Sequence, residues 1–246
     1  MSAMKTKNIE VLPDKEALVR RAGELVLEQM RSSLEARGQC TIALSGGSTP
    51  KPLYEFLATQ DLPWDRVYVF WGDERYVPPD DSQSNYRMAR EAWLGKIDIP
   101  TQNVFPMPTM AQDPVADART YDGQLQKFFG LEPGDFPVFD IILLGLGDDA
   151  HTASLFPNTE ALQVCDRSVT VGNKDGEPRI TLTFPVINLA RTVTFVVAGA
   201  SKQAALDRIF APEEDDLLYP ARTVSPLEGE LWWLLDEAAG AAVSPS

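Results

Sequence analysis

The chain has 246 residues, 44% of them hydrophobic, with Lys+Arg 22 against Asp+Glu 36 and a formal net charge of -14 at pH 7. That length supports one sizeable core and a single α/β domain over 1–246, with its core about 10–240. The acidic balance excludes general nucleic-acid binding, which needs a basic face to displace counterions. No apolar run approaches the roughly 20 residues that span a bilayer, and the stretch 1–10 is too polar for a secretory leader, so a cytoplasmic protein without membrane contact is expected.

Taken in chain order, Leu18, Ala22, Leu25, Val26, Met30 and Leu34 recur at three- and four-residue steps and predict an amphipathic helix over 14–37, stopped by Gly38. A short apolar strand over 40–44 runs into the turn Ser45-Gly46-Gly47-Ser48-Thr49-Pro50, and a helix follows over 51–58. The same grammar returns with a strand over 67–71, a polar loop to Asn85 and a helix over 86–94. The proline-rich stretch 100–114 is expected to be a long surface connection. Further strands are predicted over 139–144, 179–184 and 192–198, a helix over 201–210, and an acidic loop at Glu213-Glu214-Asp215-Asp216. Strands that alternate with helices and read as continuous apolar runs indicate a three-layer, Rossmann-like open sheet, largely parallel, with helices on both faces. Ligands of such sheets bind beyond the carboxyl ends of the strands. Each polar motif lies in that position.

Cys40 and Cys165 are far apart and flank apolar runs, so buried thiols are expected rather than a disulfide framework. A single histidine, His151, rules out a zinc site of clustered Cys and His. In the turn 45–50, backbone N–H groups before a helix that Pro50 favours make an anion site suited to a single phosphate. It lacks the lysine and spacing of a P-loop. After the strand 67–71 come Asp73, Glu74 and Arg75, then Ser84 and Asn85. The arginine fork suits a phosphate or carboxylate, although a solvated loop would read the same way. His151 follows the glycines Gly145 and Gly147 beside Asp148 and Asp149. A lone histidine is more often structural, but an imidazole on a loop after a buried strand, beside carboxylates, suits proton transfer near neutrality. Arg179 heads one strand and Lys202 one helix, where a cation is unfavourable unless an anion shares the site.

Together these motifs resemble one family. Ser-Gly-Gly-Ser-Thr-Pro at 45–50, Asp-Glu-Arg at 73–75 with Ser84-Asn85, Gly-Leu-Gly-Asp-Asp-Ala-His-Thr-Ala-Ser-Leu-Phe-Pro at 145–157, Arg-Ile-Thr at 179–181 and Gly-Ala-Ser-Lys at 199–202 are similar to 6-phosphogluconolactonases of the glucosamine-6-phosphate isomerase superfamily. The likeness runs in order from about residue 10 to residue 240, ending on the run at 233–239. The His-Thr-Ala-Ser-Leu-Phe-Pro run separates it from the isomerases, where an Ile-Ala-Phe-Asn-Glu-like run follows the histidine. One position departs from the family pattern, which has glycine before the histidine where this chain has Ala150. If that position needs a positive φ, alanine is strained by roughly 1 kcal/mol or more.

The resemblance implies hydrolysis of 6-phospho-D-glucono-1,5-lactone to 6-phosphogluconate in the oxidative pentose phosphate pathway, with no metal and no organic cofactor. It implies His151 as general acid/base and Asp149 as its orienting carboxylate. The sugar phosphate would be bound by Gly46, Gly47, Ser48, Thr49, Asp73, Arg75, Asn85, Arg179 and Lys202. No partner beyond that small molecule is expected, and the oligomeric state stays open between a monomer and a weak dimer. Three other readings compete: a serine hydrolase using Ser154 or Ser48, an amino-sugar-phosphate isomerase, and a non-enzymatic sugar-phosphate sensor.

Overall fold

A computed structural model describes residues 7–212 and 215–243. Nine strands occur among them: β1 (Lys7–Leu12), β2 (Cys40–Leu44), β3 (Val67–Trp71), β4 (Asp73–Arg75), β5 (Ile141–Leu144), β6 (Val169–Lys174), β7 (Glu177–Leu182), β8 (Thr192–Val197) and β9 (Glu230–Asp236). The helices are α1 (Lys15–Arg37), α2 (Pro50–Leu57), α3 (Asn85–Ala92), α4 (Pro114–Phe129), α5 (Phe184–Leu189), α6 (Gln203–Phe210) and the single turn α7 (Glu237–Gly240). No helix of the described residues is long and apolar enough to cross a membrane.

The predicted first helix forms because both ends are satisfied. The Asp14 carboxylate accepts the Ala17 N–H at 2.8 Å, and Gly38 takes the left-handed conformation that closes the last turn. The apolar stripe then buries Leu18, Ala22, Leu25, Val26 and Met30 along the sheet, against β1, β2, β5, β8 and β9.

Six strands form one sheet in the order β1-β9-β8-β5-β2-β3, and every pairing in it is parallel. The chain leaves β2 for β3 on one side, then crosses over to β5 and continues through β8 to β9 on the other. Connections therefore diverge between the adjacent strands β2 and β5, and such a switch point opens a crevice at the carboxyl ends of the strands. The turns at 45–50 and 145–151 both open into it.

Two expectations about strands and connections need correction. The segment 179–184 does not join the parallel sheet: β7 ends at Leu182, and Phe184 already begins α5. β7 pairs antiparallel with β4 and β6 in a separate three-stranded sheet. Its polar and apolar residues alternate (Arg179, Ile180, Thr181, Leu182), the period-two pattern of an antiparallel strand rather than the continuous run of a buried parallel one. The stretch 100–114 is not merely a surface connection. Val104 bridges Val69 in parallel along the outer edge of β3, Asn103, Met107 and Thr109 are buried, and Pro114 opens the unanticipated sixteen-residue α4 behind its Asp113 cap.

Gly72 joins the two sheets. Its N–H donates to Leu44 O at the end of β2, and its carbonyl accepts from Leu182 N–H at the end of β7, both at 2.8 Å. Of the two cysteines Cys40 is buried as expected, but Cys165 is exposed on the loop before β6. Of the acidic loop, Glu213 and Glu214 lie outside the described residues, while Asp215 and Asp216 are exposed.

Candidate active site

A cleft of about 360 Å³ opens at the switch point. Gly46, Gly47, Ser48, Thr49, Asp73, Arg75, Asn85, His151, Arg179 and Lys202 all line it, so nine predicted binding residues and the histidine meet in one place. Asp149, the remaining predicted residue, stands behind the imidazole.

The first wall is the turn after β2. Buried Tyr54 fixes its start, donating its hydroxyl to Ser45 O at 2.7 Å and accepting Ser45 N–H at 3.0 Å. Gly47 has φ +103, open to glycine but rarely to other residues. Gly46 has a different reason to be glycine: a Cβ there would collide with Asn85 Oδ1. Among the described residues, the N–H groups of Gly46, Gly47 and Ser48 meet no protein acceptor. Pro50 and Pro52 have no N–H to offer at the head of α2, so the donors concentrate in the turn itself.

The second wall is the loop after β5. The Gly147 N–H donates to His151 O at 2.9 Å, and the Ala150 N–H to Gly147 O at 3.1 Å, closing a tight loop over the imidazole. A Cβ on Gly147 would strike His151 Nδ1 and Asp149 Oδ1. Ala150 is fully buried with φ +64, so the position does demand the left-handed region, and alanine occupies it. Its carbonyl is held by the Ala221 N–H at 3.0 Å.

Asp149 Oδ1 lies 2.5 Å from His151 Nδ1 and also accepts the His151 N–H at 3.1 Å. Burial raises the Asp149 carboxyl, but the hydrogen bond and charge of His151 outweigh it and bring the group down to about 2. An ionised carboxylate at Nδ1 fixes the proton there and leaves Nε2 as the ring nitrogen free for chemistry. The Phe156 ring backs the imidazole, with centroids 4.5 Å apart.

The third wall is the small sheet. Arg75 on β4 is directly opposite Arg179 on β7, a like-charge cross-strand pair that is destabilising by itself. No carboxylate lies within ion-pair distance of either guanidinium among the described residues, and the buried Nε of each has no partner. Burial lowers the Arg179 pKa, and Arg75 lowers it further. Arg75 Nη1 is steered by Gln83 O at 2.8 Å, and Arg179 lies over Phe156 at 5.3 Å. Two part-buried guanidiniums with no carboxylate in ion-pair contact, and only the longer-range pull of Asp73 and Glu177 on Arg179, form a site for an anion.

Lys202 completes the rim but is not free: Asp148 accepts its Nζ at 2.6 Å and Ser201 Oγ at 3.1 Å. The Lys202 contact lowers the Asp148 carboxyl. An exposed pair of this kind is worth little, and an incoming dianion can compete for the lysine.

The residues that hold these binding groups carry no binding chemistry of their own in the sequence. Glu74, buried between Asp73 and Arg75, accepts the N–H groups of Arg75, Asn85 and Tyr86 and the hydroxyl of Ser84 at 2.7–3.1 Å. It thereby fixes the start of α3 and aims Asn85, whose Nδ2 donates to Asp73 O at 2.9 Å. Burial raises the Glu74 carboxyl, partly offset by these backbone donors. Its place inside Asp-Glu-Arg was the only signal. Ser154 is fully buried and donates to Asp73 Oδ2 at 2.6 Å, which removes it as the nucleophile of a serine hydrolase.

Over residues 13–233 the chain matches the family described as glucosamine-6-phosphate isomerases/6-phosphogluconolactonase. It is 59% identical over 238 residues to the 6-phosphogluconolactonase of Nostoc sp., covering 97% of this chain and 99% of the relative. It is 60% identical over 237 residues to that of Synechocystis sp., covering 96% and 98%. The solved structure of 6-phosphogluconolactonase from Trypanosoma brucei matches with a TM-score of 0.88 at 33% identity, over 98% of this chain and 100% of that one. An identity near 60% over the full length, on a fold whose cleft gathers every motif of the likeness, places the chain in the glucosamine-6-phosphate isomerase/6-phosphogluconolactonase family, as one of its 6-phosphogluconolactonases.

Proposed function

We propose that this 6-phosphogluconolactonase hydrolyses 6-phospho-D-glucono-1,5-lactone through His151. Neutral His151 Nε2 takes a proton from water as the water oxygen bonds to the C1 carbonyl carbon. The tetrahedral intermediate then collapses, the bond from C1 to the ring oxygen breaks, and the imidazolium returns the proton to that oxygen. The product is open-chain 6-phosphogluconate. Asp149 holds the tautomer and stabilises the cation formed in between.

The observation that carries this reading is the Asp149–His151 contact, with Nδ1 occupied and the imidazole on the cleft wall. An ester already activated by its ring asks only for water activation and a proton donor. The 6-phosphate is received by the N–H groups at 46–48 with Arg75 and Arg179, and it competes with Asp148 for the Lys202 ammonium. Asp73 and Asn85 face the sugar hydroxyls. The local cations let a chain of net charge -14 accept a dianion.

Replacing His151→Ala is expected to lower lactone hydrolysis by about 10²–10⁴-fold, with 6-phosphogluconate affinity largely intact. An assay coupled to 6-phosphogluconate dehydrogenase, corrected for spontaneous ring opening, measures this. Near wild-type turnover in the variant would overturn the assignment.

A further inference from the structure

The proposed reaction makes no use of Ser154, yet this residue is fully buried and gripped by all three strands of the small sheet. Its Oγ donates to Asp73 Oδ2 on β4 at 2.6 Å, and its N–H donates to Thr181 Oγ1 on β7 at 3.2 Å. Its carbonyl oxygen fills the space that a Cβ would need at Gly172 on β6.

Only two residues, Thr152 and Ala153, separate Ser154 from His151, and they are stiff. Thr152 is buried and donates its hydroxyl to Gly145 O at 3.0 Å, Leu155 N–H donates back to Thr152 O at 3.0 Å, and Ala153 turns the chain at φ +48. A displacement at Ser154 therefore reaches the imidazole with little loss. The histidine loop issues from the parallel sheet, whereas Arg75 and Arg179 belong to the small one. One aromatic ring, Phe156, lies between the imidazole and the Arg179 guanidinium.

We propose that Ser154 is a positioning residue: fastened to Asp73 and Thr181, it sets the separation between the proton-transferring imidazole and the arginine pair that anchors the anionic end of the substrate. This rests on the reading of His151 and of the arginines given above. A substrate whose phosphate and reacting carbonyl are joined by a short carbon chain needs that separation held, because a shift of about 1 Å from attack geometry costs about 10²-fold in rate.

The test compares Ser154→Ala, Thr181→Val and Ser154→Cys with His151→Ala, measuring kcat and KM on the lactone, 6-phosphogluconate affinity by calorimetry, and melting temperature. Thr181→Val keeps the shape of the site while removing the acceptor for the Ser154 N–H, so the idea stays testable if Ser154→Ala folds poorly. Both variants are expected to lose about 10–100-fold in kcat. Product affinity should fall by much less than kcat, because the arginine pair keeps its place and only the Asp73 contact is loosened. Ser154→Cys, which retains a weak donor, should recover part of kcat. Wild-type kcat in Ser154→Ala and Thr181→Val beside an inactive His151→Ala would overturn the positioning role and leave the histidine assignment standing. Parallel losses of kcat and product affinity would also overturn it, since they indicate general loosening. Turnover retained in His151→Ala would overturn both.

Discussion

Asp149 and Ala150 directly precede His151 on the chain, and each makes a distinct demand. Because Asp149 sits near 2 when folded against an ordinary 3.8, the unfolded chain binds more protons between those values, and stability rises with pH across them. Its contribution is complete above pH 3.8 and is lost as pH falls through about 2. Denaturation of the wild type and Asp149→Asn should therefore show a stability gap that closes over that acid window. At neutral pH, where the carboxylate is always ionised, Asp149→Asn should lower kcat by about 10²–10⁴-fold. Ala150 carries about 1 kcal/mol of left-handed strain, but its buried methyl and the smaller unfolded-state entropy of alanine offset much of it. Ala150→Gly should thus change stability by less than about 1 kcal/mol, whereas Ala150→Val, β-branched at positive φ, should cost about 2–3 kcal/mol by chemical denaturation.

At the scale of elements, the β4–β7 ribbon places two guanidiniums opposite each other, and no carboxylate among the described residues pairs with either. On the proposed function, the anion of the substrate relieves that repulsion. At a concentration of 100 times its Kd, 6-phosphogluconate should stabilise the fold by about 2.7 kcal/mol, read as a rise in melting temperature. Arg179→Ala should remove most of that rise while leaving the ligand-free protein as stable or more so. The likeness of motifs brought Arg75 and Arg179 together in expectation, but not the ribbon, because a three-residue β4 gives no periodicity to read. Continuous apolar runs revealed β2, β3 and β8 almost to the residue. They could not reveal β1, an edge strand of mixed polarity in which only Ile9 is buried, or α4, hidden by the prolines before it. Chemistry-bearing side chains were legible from their type and place after strands. The groups that aim them, Glu74, Tyr54 and Ser154, were not, since their partners are 9 to 81 residues away in sequence.

For the whole molecule, the order of strands decides where ligand goes: β2 and β5 are neighbours whose connections part, and their turns supply two walls of the cleft. The small sheet supplies the third, and Gly72 ties it to the first sheet. Fold class was readable because parallel strands buried on both faces are written in apolar residues. The division into two sheets was not, since it depends on hydrogen bonding between distant segments. The same assembly explains why two glycines of this cleft, and a third behind it on β6, resist substitution for a reason unrelated to chain flexibility. At 46, 147 and 172 the volume of a methyl group is already held by Asn85, by the Asp149–His151 pair and by Ser154 O. Hydrogen atoms at these positions are a form of information as specific as any charged group. A side chain added at any of these three corners must first displace the group that already fills it.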